Sequence, residues 1–144
     1  MAIWLLAVSL LGVEPQLIPP ALPYRDAVAM AQKEQKPLMI LFSAAWCPSC
    51  QTMKNSVMPQ LEKEGWYTFV AFTVVDVDKQ AELTRAFITV KALRPRAPIP
   101  QLVLFYRTSA GWRFKKLVGA QSLATVKVFI LEGAAIQQAA KHPQ

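Results

Sequence analysis

The stretch PLMILFSAAWCPSC, residues 37–50, joins an unbroken apolar run to two cysteines that are separated by two residues. The run from Pro37 to Ser43 has the length and the apolar continuity of a strand that is buried on both faces of a sheet. Cys47 comes four residues after this run, where a helical pattern begins. The sequence therefore predicts a buried strand, a short turn and a helix, with Cys47 at the amino end of the helix.

This position gives the first cysteine a specific reactivity. Unpaired N–H groups and the helix dipole favour an anion at a helix amino end, so they lower the pKa of a thiol there. Only a thiolate attacks a disulfide, which makes Cys47 the nucleophile. Cys50, one turn later, can then attack the mixed disulfide and release the product. The alternatives are half of a zinc site, for which no second cysteine pair exists, and a purely structural pair, which a strand-to-helix junction flanked by Trp and Pro does not favour.

The rest of the chain alternates between helical and strand patterns. We predict a first helix from an Asp26 cap to about Lys36, and a second over 50–57 that breaks at Pro59 and is followed by one or two further turns over 59–64. Two more helices are predicted over 79–87 and from a Ser122 cap to about Ala140. We predict strands over 67–77, 101–107 and 112–118, with a loop over 89–100. The order α, β, α, β, α, β, β, α implies an α/β fold: a central mixed sheet with parallel strands, a carboxyl-terminal antiparallel hairpin and helices on both faces.

Composition limits the possible classes of protein. The 144 residues are 53% hydrophobic and 17% charged, which fits one well-packed domain. Two cysteines are too few for a disulfide-stapled scaffold, and the place of the single histidine, His142, near the end of the sequence argues against a histidine-built metal centre or a Ser/His/Asp triad. The net charge of +7 is uneven: residues 85–144 hold ten Lys and Arg against one acidic residue. No arginine-rich or aromatic-interleaved pattern indicates nucleic-acid binding.

The amino terminus predicts a targeting segment. Residues 1–13 carry no charge and have the length of the apolar core of an export signal or anchor. Residues 14–23 contain four prolines and are typical of a linker, which leaves 24–144 as the domain. We therefore expect a periplasmic or otherwise extracytoplasmic location with a possible membrane anchor. The alternatives are an apolar segment packed on the domain, a start site trimmed from a longer leader, and a cytoplasmic protein.

Several separate motifs resemble the thioredoxin superfamily over roughly residues 24–140. They are the strand Leu38–Phe42, the Trp46-Cys-Pro-Ser-Cys50 motif, the strand end Val75-Asp-Val-Asp78, Ile99-Pro100 followed by QLVLF, and Val118-Gly-Ala120 before the last helix. Residues 33–46 and the C-x-x-C-x-x-M-K-x-x-V pattern are most similar to exported or membrane-tethered disulfide reductases and cytochrome c maturation proteins.

The resemblance implies a thiol–disulfide oxidoreductase that reduces protein disulfides through Cys47 and Cys50. Its partners are protein thiols and disulfides and an upstream thiol protein that donates electrons; no metal, nucleotide or flavin cofactor is implied, and a monomer is expected. Pro100 is implied to be a cis-proline facing the cysteines, with the Ile99 backbone free to pair with an extended substrate. Trp46 is implied to be an apolar platform beside the disulfide. The alternatives are ordinary packing for Trp46 and a trans proline opening an edge strand.

The residues between the cysteines also shape the site. Pro48 removes one N–H that would otherwise face the Cys47 sulfur, and Ser49 supplies a hydroxyl. Both are expected to contact substrate and to influence the redox potential.

Two departures from the resemblance affect function. Many thioredoxins keep a buried Asp–Lys pair behind the second cysteine, and here those positions are Leu41 and Val74. Cys50 then lacks a buried base, its thiol pKa should stay high, and turnover should be slow. The loop before Pro100 is also longer and carries Lys91, Arg94 and Arg96. These cations are expected to raise the local electrostatic potential and to select acidic partners; the alternative is that they are simply solvated.

These departures keep rival functions open. One is a binding or assembly module that holds a partner in the groove around Pro100 with little turnover. Another is a disulfide oxidase or isomerase, because the direction of the reaction depends on potential rather than on fold.

Overall fold

A mixed four-stranded sheet forms the centre of the computed structural model, which describes residues 21–142. The strands lie in the order β2–β1–β3–β4, and they span Leu38–Ser43 (β1), Ala71–Asp76 (β2), Gln101–Thr108 (β3) and Gly111–Val118 (β4). β1 and β2 are parallel, whereas β3 is antiparallel to both β1 and β4. The predicted mixed sheet and its terminal hairpin are therefore confirmed.

Helices cover both faces of this sheet. They are α1 (Tyr24–Lys33), α2 (Pro48–Thr52), α3 (Met58–Lys63), α4 (Ala81–Thr89) and α5 (Leu123–Lys141). Met39 and Leu41 point to the face that packs against α3 and α5, and Ile40 and Phe42 point to the face that packs against α1 and α4. Every residue of β1 is buried, as its unbroken apolar pattern predicted.

The second helical region is longer than the sequence indicates. Its helix begins at Pro48, two residues earlier than predicted, and continues into α3 without the break expected at Pro59. The residues between α2 and α3, Met53–Val57, form a π-helical segment. A π segment widens the turn that a following proline ring would otherwise crowd, so Pro59 is accommodated.

Other element boundaries also differ from the predictions. Asp26 does not cap α1: Pro23 precedes the helix, and Asp26 lies in the first turn, where a negative charge is favourable. β2 starts at Ala71 rather than residue 67, because Trp66–Thr68 form a 3₁₀ turn. The Ser122 cap of α5 is confirmed, since its hydroxyl accepts the Thr125 N–H at 3.1 Å.

The chain before α1 contacts the outer edge of β2. The Leu22 N–H donates to the Phe72 carbonyl at 3.1 Å, and the buried Thr73 hydroxyl donates to the Leu22 carbonyl at 2.7 Å. The predicted targeting segment 1–13 and residues 14–20 of the predicted linker lie outside the described residues. Within residues 21–142, none of the helices has the length and apolar character needed to cross a bilayer.

Candidate active site

One end of the sheet gathers the residues that the cysteine motif singled out. Phe42 pairs with Val75 on β2 and with Gln101 on β3, so the carboxyl ends of β1 and β2 meet the amino end of β3. Cys47 and Cys50 follow β1, and Pro100 directly precedes β3. Segments that are distant in sequence therefore converge at this end of the sheet, which we call the cysteine end.

Cys47 and Cys50 are joined in a disulfide, with their Cα atoms 5.2 Å apart. Cys47 is the N-cap residue of α2, and its Sγ accepts the backbone N–H of Cys50 at 3.2 Å. Cys50 is fully buried, whereas Cys47 retains 4% of its surface. The sulfur that an approaching group can reach is therefore that of Cys47.

The two residues inside the motif occupy the first turn of α2. Pro48 is the first helical residue, where the missing N–H costs nothing. The Ser49 hydroxyl lies 3.6 Å from the Cys47 sulfur. Ser49 thus places a polar hydrogen close to the atom that becomes negatively charged when the disulfide is reduced.

Ile99 and Pro100 lie against the disulfide. The Ile99–Pro100 peptide bond is cis, the isomer that the resemblance implied, and the Ile99 carbonyl oxygen lies 3.7 Å from the Cys47 sulfur. The Pro100 carbonyl accepts the Gly119 N–H at 2.8 Å, which ties this turn to the end of β4. Within residues 21–142, Ile99 makes no backbone–backbone hydrogen bond, and the Cys47 sulfur is the group next to its carbonyl oxygen.

Trp46 is a largely exposed side chain beside the cysteines. Its exposed fraction is 68%, and its indole Nε1–H donates to Asp78 Oδ2 at 2.8 Å. Asp78 lies at the end of a predicted strand, and the cysteine motif alone does not indicate that it belongs to the site. The Val75-Asp-Val-Asp78 pattern was the available signal, because polar side chains after a parallel strand lie at the same end of the sheet as those after its neighbour.

The Asp76 carboxylate stabilises the turn that carries Asp78. Its Oδ1 accepts the backbone N–H groups of Lys79 and Asp78, each at 2.9 Å. The Lys79 N–H hydrogen bond, followed by that of Asp78 and by the charges of Lys79 and Lys54, lowers the pKa of the Asp76 carboxyl. The turn that carries Asp78 is thereby held in place under Trp46.

The two positions at which the resemblance implies a buried Asp–Lys pair are apolar. Leu41 and Val74 pair directly across β1 and β2, and Leu41 is fully buried. Among the residues that the structure describes, the buried polar side chains are Ser43, Thr73, Gln101 and Gln137. None of them is ionisable, so Cys50 has no buried acid or base beside it.

Metal-ligating side chains do not cluster in the described part of the chain. No group of three or more His, Cys, Asp or Glu side chains is close enough to hold an ion within residues 21–142. Lys91, Arg94 and Arg96 are all exposed in the loop that leads to Pro100. Among the described residues, the cysteine end carries a disulfide, the Ile99 peptide group beside it and the exposed Trp46 indole.

Comparisons with known proteins agree with this geometry. A family model described as thioredoxin-like matches residues 21–92. A thioredoxin from Thermus thermophilus is 25% identical, with a TM-score of 0.57 over 83% of this chain and 90% of its own. The thioredoxin of Trichomonas vaginalis is 20% identical, with a TM-score of 0.56 over 78% of this chain and 92% of its own. Chloroplastic thioredoxin z is 14% identical, with a TM-score of 0.59 over 80% of this chain and 93% of its own. No curated protein sequence matches significantly.

Proposed function

Because this chain belongs to the thioredoxin-like family and carries its cysteine pair as a disulfide, we propose that it is a thiol–disulfide oxidoreductase that reduces the disulfides of other proteins. The observation that carries the proposal is the placement of Cys47. Its sulfur is at the amino end of α2, accepts the Cys50 N–H, and lies beside the cis peptide bond of Ile99–Pro100. The proposed nucleophile Cys47, the resolving thiol Cys50 and the substrate-binding peptide of Ile99 thus lie next to one another in space.

The reaction has two exchanges. The Cys47 thiolate attacks one sulfur of the substrate disulfide, the substrate S–S bond breaks, and one substrate thiol leaves after taking up a proton. Cys50 then loses its proton and attacks the Cys47 sulfur of the mixed disulfide, which releases the second substrate thiol. Two electrons pass from the Cys47–Cys50 pair to the substrate, and an upstream dithiol protein returns two electrons to the pair.

Trapping of the intermediate tests this sequence of steps. The Cys50→Ser variant should accumulate a covalent mixed disulfide with a protein substrate such as insulin, and dithiothreitol should dissolve it. The matched Cys47→Ser variant, which keeps the buried thiol alone, should form none. Mixed disulfides through Cys50, or none with either variant, contradict the proposal.

A partner-holding module is the rival function, and the apolar Leu41–Val74 pair is the observation in its favour. A holder needs the groove around Pro100 but not the thiol. Complementation of a deletion strain separates the two functions, since Cys47→Ser abolishes function in an enzyme and preserves it in a holder.

The direction of electron flow is a proposal that the reduction potential of the pair tests. A value of about −270 mV or lower, in the thioredoxin range, supports reduction of substrates. A value of about −120 to −180 mV, in the range of oxidants and isomerases, makes disulfide formation or reshuffling the function instead.

The proposed compartment is the periplasm or another extracytoplasmic space, with residues 1–13 as signal or anchor. Its support is the uncharged run in the sequence. Fractionation of cells that express the full chain with a carboxyl-terminal tag tests it, and recovery in the cytosolic fraction alone contradicts it.

A further inference from the structure

The loop between α4 and the cis-proline carries a group of exposed cations next to the proposed substrate edge. We call residues 91–96 the basic loop; its charges are Lys91, Arg94 and Arg96, all exposed. The hydrogen-bond partners of the Cys47 sulfur are Ser49, Cys50 and Ile99, so the cations of the basic loop are not among them.

Both ends of the basic loop are anchored in the core. The N–H groups of Ala92 and Leu93 both donate to the Phe87 carbonyl, at 3.0 and 3.2 Å, and both side chains are buried. On the other side, Ala97 and Ile99 pack against the same apolar cluster. The Ala97 N–H donates to the Arg94 carbonyl at 3.1 Å, which closes a tight turn. The two arginines are thus presented on a fixed turn.

Two of the three cations occupy conformations that are unfavourable for their residue type. Lys91 has φ of 62° and Arg96 has φ of 53°, in the left-handed region where glycine is preferred. Lys91 directly follows the C-cap of α4, and Gln35 adopts the same left-handed conformation after the C-cap of α1, so the φ of Lys91 belongs to the end of its helix.

The positive charge of the basic loop is not neutralised by the described residues. The ion pairs within residues 21–142 join Lys36 to Glu34, Lys115 to Glu132, and Lys127 to Glu64. None of them includes a cation of the basic loop. The nearby acidic groups at the cysteine end already have partners, since Asp76 accepts two backbone N–H groups and Asp78 accepts the Trp46 indole.

The distance along the chain places this charge within reach of a bound substrate. Arg96 is three residues before Ile99, so their Cα atoms are at most about 11 Å apart. In a peptide paired with the Ile99 backbone, residues within about four of the attacked cysteine would therefore lie within reach of the long Arg96 side chain. On the Trp46 side of the cysteines, the cations Lys54 and Lys79 lie close to the Asp76 carboxylate.

We propose that the preferred substrates are protein disulfides whose attacked cysteine is flanked, within about four residues, by aspartate or glutamate. This inference rests on the proposed function and deepens it. The cations of the basic loop attract the acidic segment and align it along Ile99, which raises the rate of the first exchange.

Three peptide disulfides of equal length test the proposal. One carries acidic residues beside its cystine, one carries the matching Asn and Gln residues, and one carries lysines. The readout is kcat/KM for reduction by the full chain, supplied with an excess of reductant, at low and at high salt. Wild-type protein should reduce the acidic peptide about tenfold faster than the neutral one and the basic peptide more slowly still. Because surface charges are screened by salt, the ratio should approach one at 0.5 M NaCl, roughly where the Debye length falls below 5 Å.

Matched variants assign the preference to the basic loop. The triple variant Lys91→Gln, Arg94→Gln, Arg96→Gln should lose most of the acidic-to-neutral ratio. The control variant removes the same charge at the opposite end of the sheet through Lys33→Gln, Lys63→Gln and Arg113→Gln, three exposed positions, and should keep the ratio.

The outcomes separate this inference from the proposed function. Reduction of all three peptides at the same rate, or an equal fall in the ratio for both triple variants, overturns the substrate preference and leaves the oxidoreductase intact; the basic loop is then only a solvated surface. Failure to reduce any peptide overturns the proposed function and this inference with it.

Discussion

The geometry of the cysteine pair predicts that, in the reduced protein, alkylating reagents modify Cys47 much faster than Cys50. The perturbation is reduction with dithiothreitol followed by iodoacetamide at neutral pH. Cys47 retains accessible surface at the amino end of α2, whereas Cys50 is completely enclosed. An alkylating reagent needs both access and a thiolate, and the structure favours Cys47 on both counts.

The size of the difference follows from two contributions. An ordinary thiol with a pKa of about 8.5 is only about 3% thiolate at pH 7. A charge at a helix terminus is stabilised by about 0.3–2 kcal/mol, which corresponds to roughly a 2- to 30-fold increase in the thiolate-to-thiol ratio. The N–H of Cys50, already 3.2 Å from the Cys47 sulfur, is the first of the donors that act this way. Alkylation of the buried Cys50 also requires a local opening of the structure, and the free energy of this opening lowers its rate further. We therefore expect Cys47 to be alkylated more than about tenfold faster than Cys50.

Peptide mass spectrometry after timed quenching measures the two rates separately. The single variants Cys47→Ser and Cys50→Ser provide the controls, because each reports one thiol without transfer from the other. Between pH 5 and pH 9, the Cys47 rate should level off at a lower pH than that of glutathione in the same tube. Equal rates at the two cysteines, or faster modification of Cys50, would refute the assignment of Cys47 as nucleophile.

Three further substitutions test the contacts around the site. Asp78→Asn weakens the charge-assisted bond to Trp46, so the indole N–H should exchange faster with water by NMR; Asp78→Glu is the control that keeps the charge, and an unchanged exchange rate contradicts the contact. Thr73→Val removes the 2.7 Å bond to the Leu22 carbonyl and should cost about 1 kcal/mol, or about 4 °C in Tm. Faster hydrogen exchange at Leu22 should accompany the loss, and an unchanged Tm and exchange rate argue against this attachment. Because the folded-state pKa of Asp76 is lowered, its carboxylate stabilises the fold above the unfolded pKa of about 3.9, and this contribution disappears as the pH falls through the lowered value. Asp76→Asn should therefore lower Tm at pH 7 and lose its effect in acid; a deficit that persists at low pH contradicts the linkage.

The strand and turn patterns predicted the sheet because each was a local signal with one physical meaning. The run 38–43 has no polar residue before its last position, and a strand with that pattern is stable only between two apolar layers. The hairpin of β3 and β4 was also predictable, because a glycine, Gly111, lies between the two strand patterns. Glycine readily adopts the φ of 104° that this turn requires. These elements depend on neighbours that are close in sequence or on burial alone.

The errors arose where several elements act together. Pro59 predicts a helix break by itself, but the π-helical segment before it lets the helix continue, and no residue pattern announces that segment. Asp26 has the chemistry of an N-cap, yet α1 begins at Tyr24, after Pro23, whose carbonyl accepts the Ala27 N–H; the preceding residue, Leu22, pairs with β2. Asp78 reaches Trp46 only because β1 and β2 are parallel and end together. The Val75-Asp-Val-Asp78 pattern indicates which end of the sheet Asp78 occupies, but its contact with Trp46 also requires the register of the sheet, which a single sequence does not contain.

The apolar support behind Cys50 has a consequence for the second exchange. Leu41 faces Val74 where a carboxylate and an ammonium group are found in many relatives of this fold, and no ionisable side chain among residues 21–142 is buried near them. The proton of Cys50 must therefore leave through water or through a group that the bound partner supplies. The first exchange of the proposed reaction needs only the Cys47 thiolate, whereas the second needs deprotonation of Cys50, so we expect attack to be faster than resolution. A partner that stays bound along Ile99 and brings its own base should accelerate resolution, whereas a small disulfide that diffuses away should not. The proposed function therefore predicts a preference for protein substrates over small-molecule disulfides, independently of the charge on the basic loop.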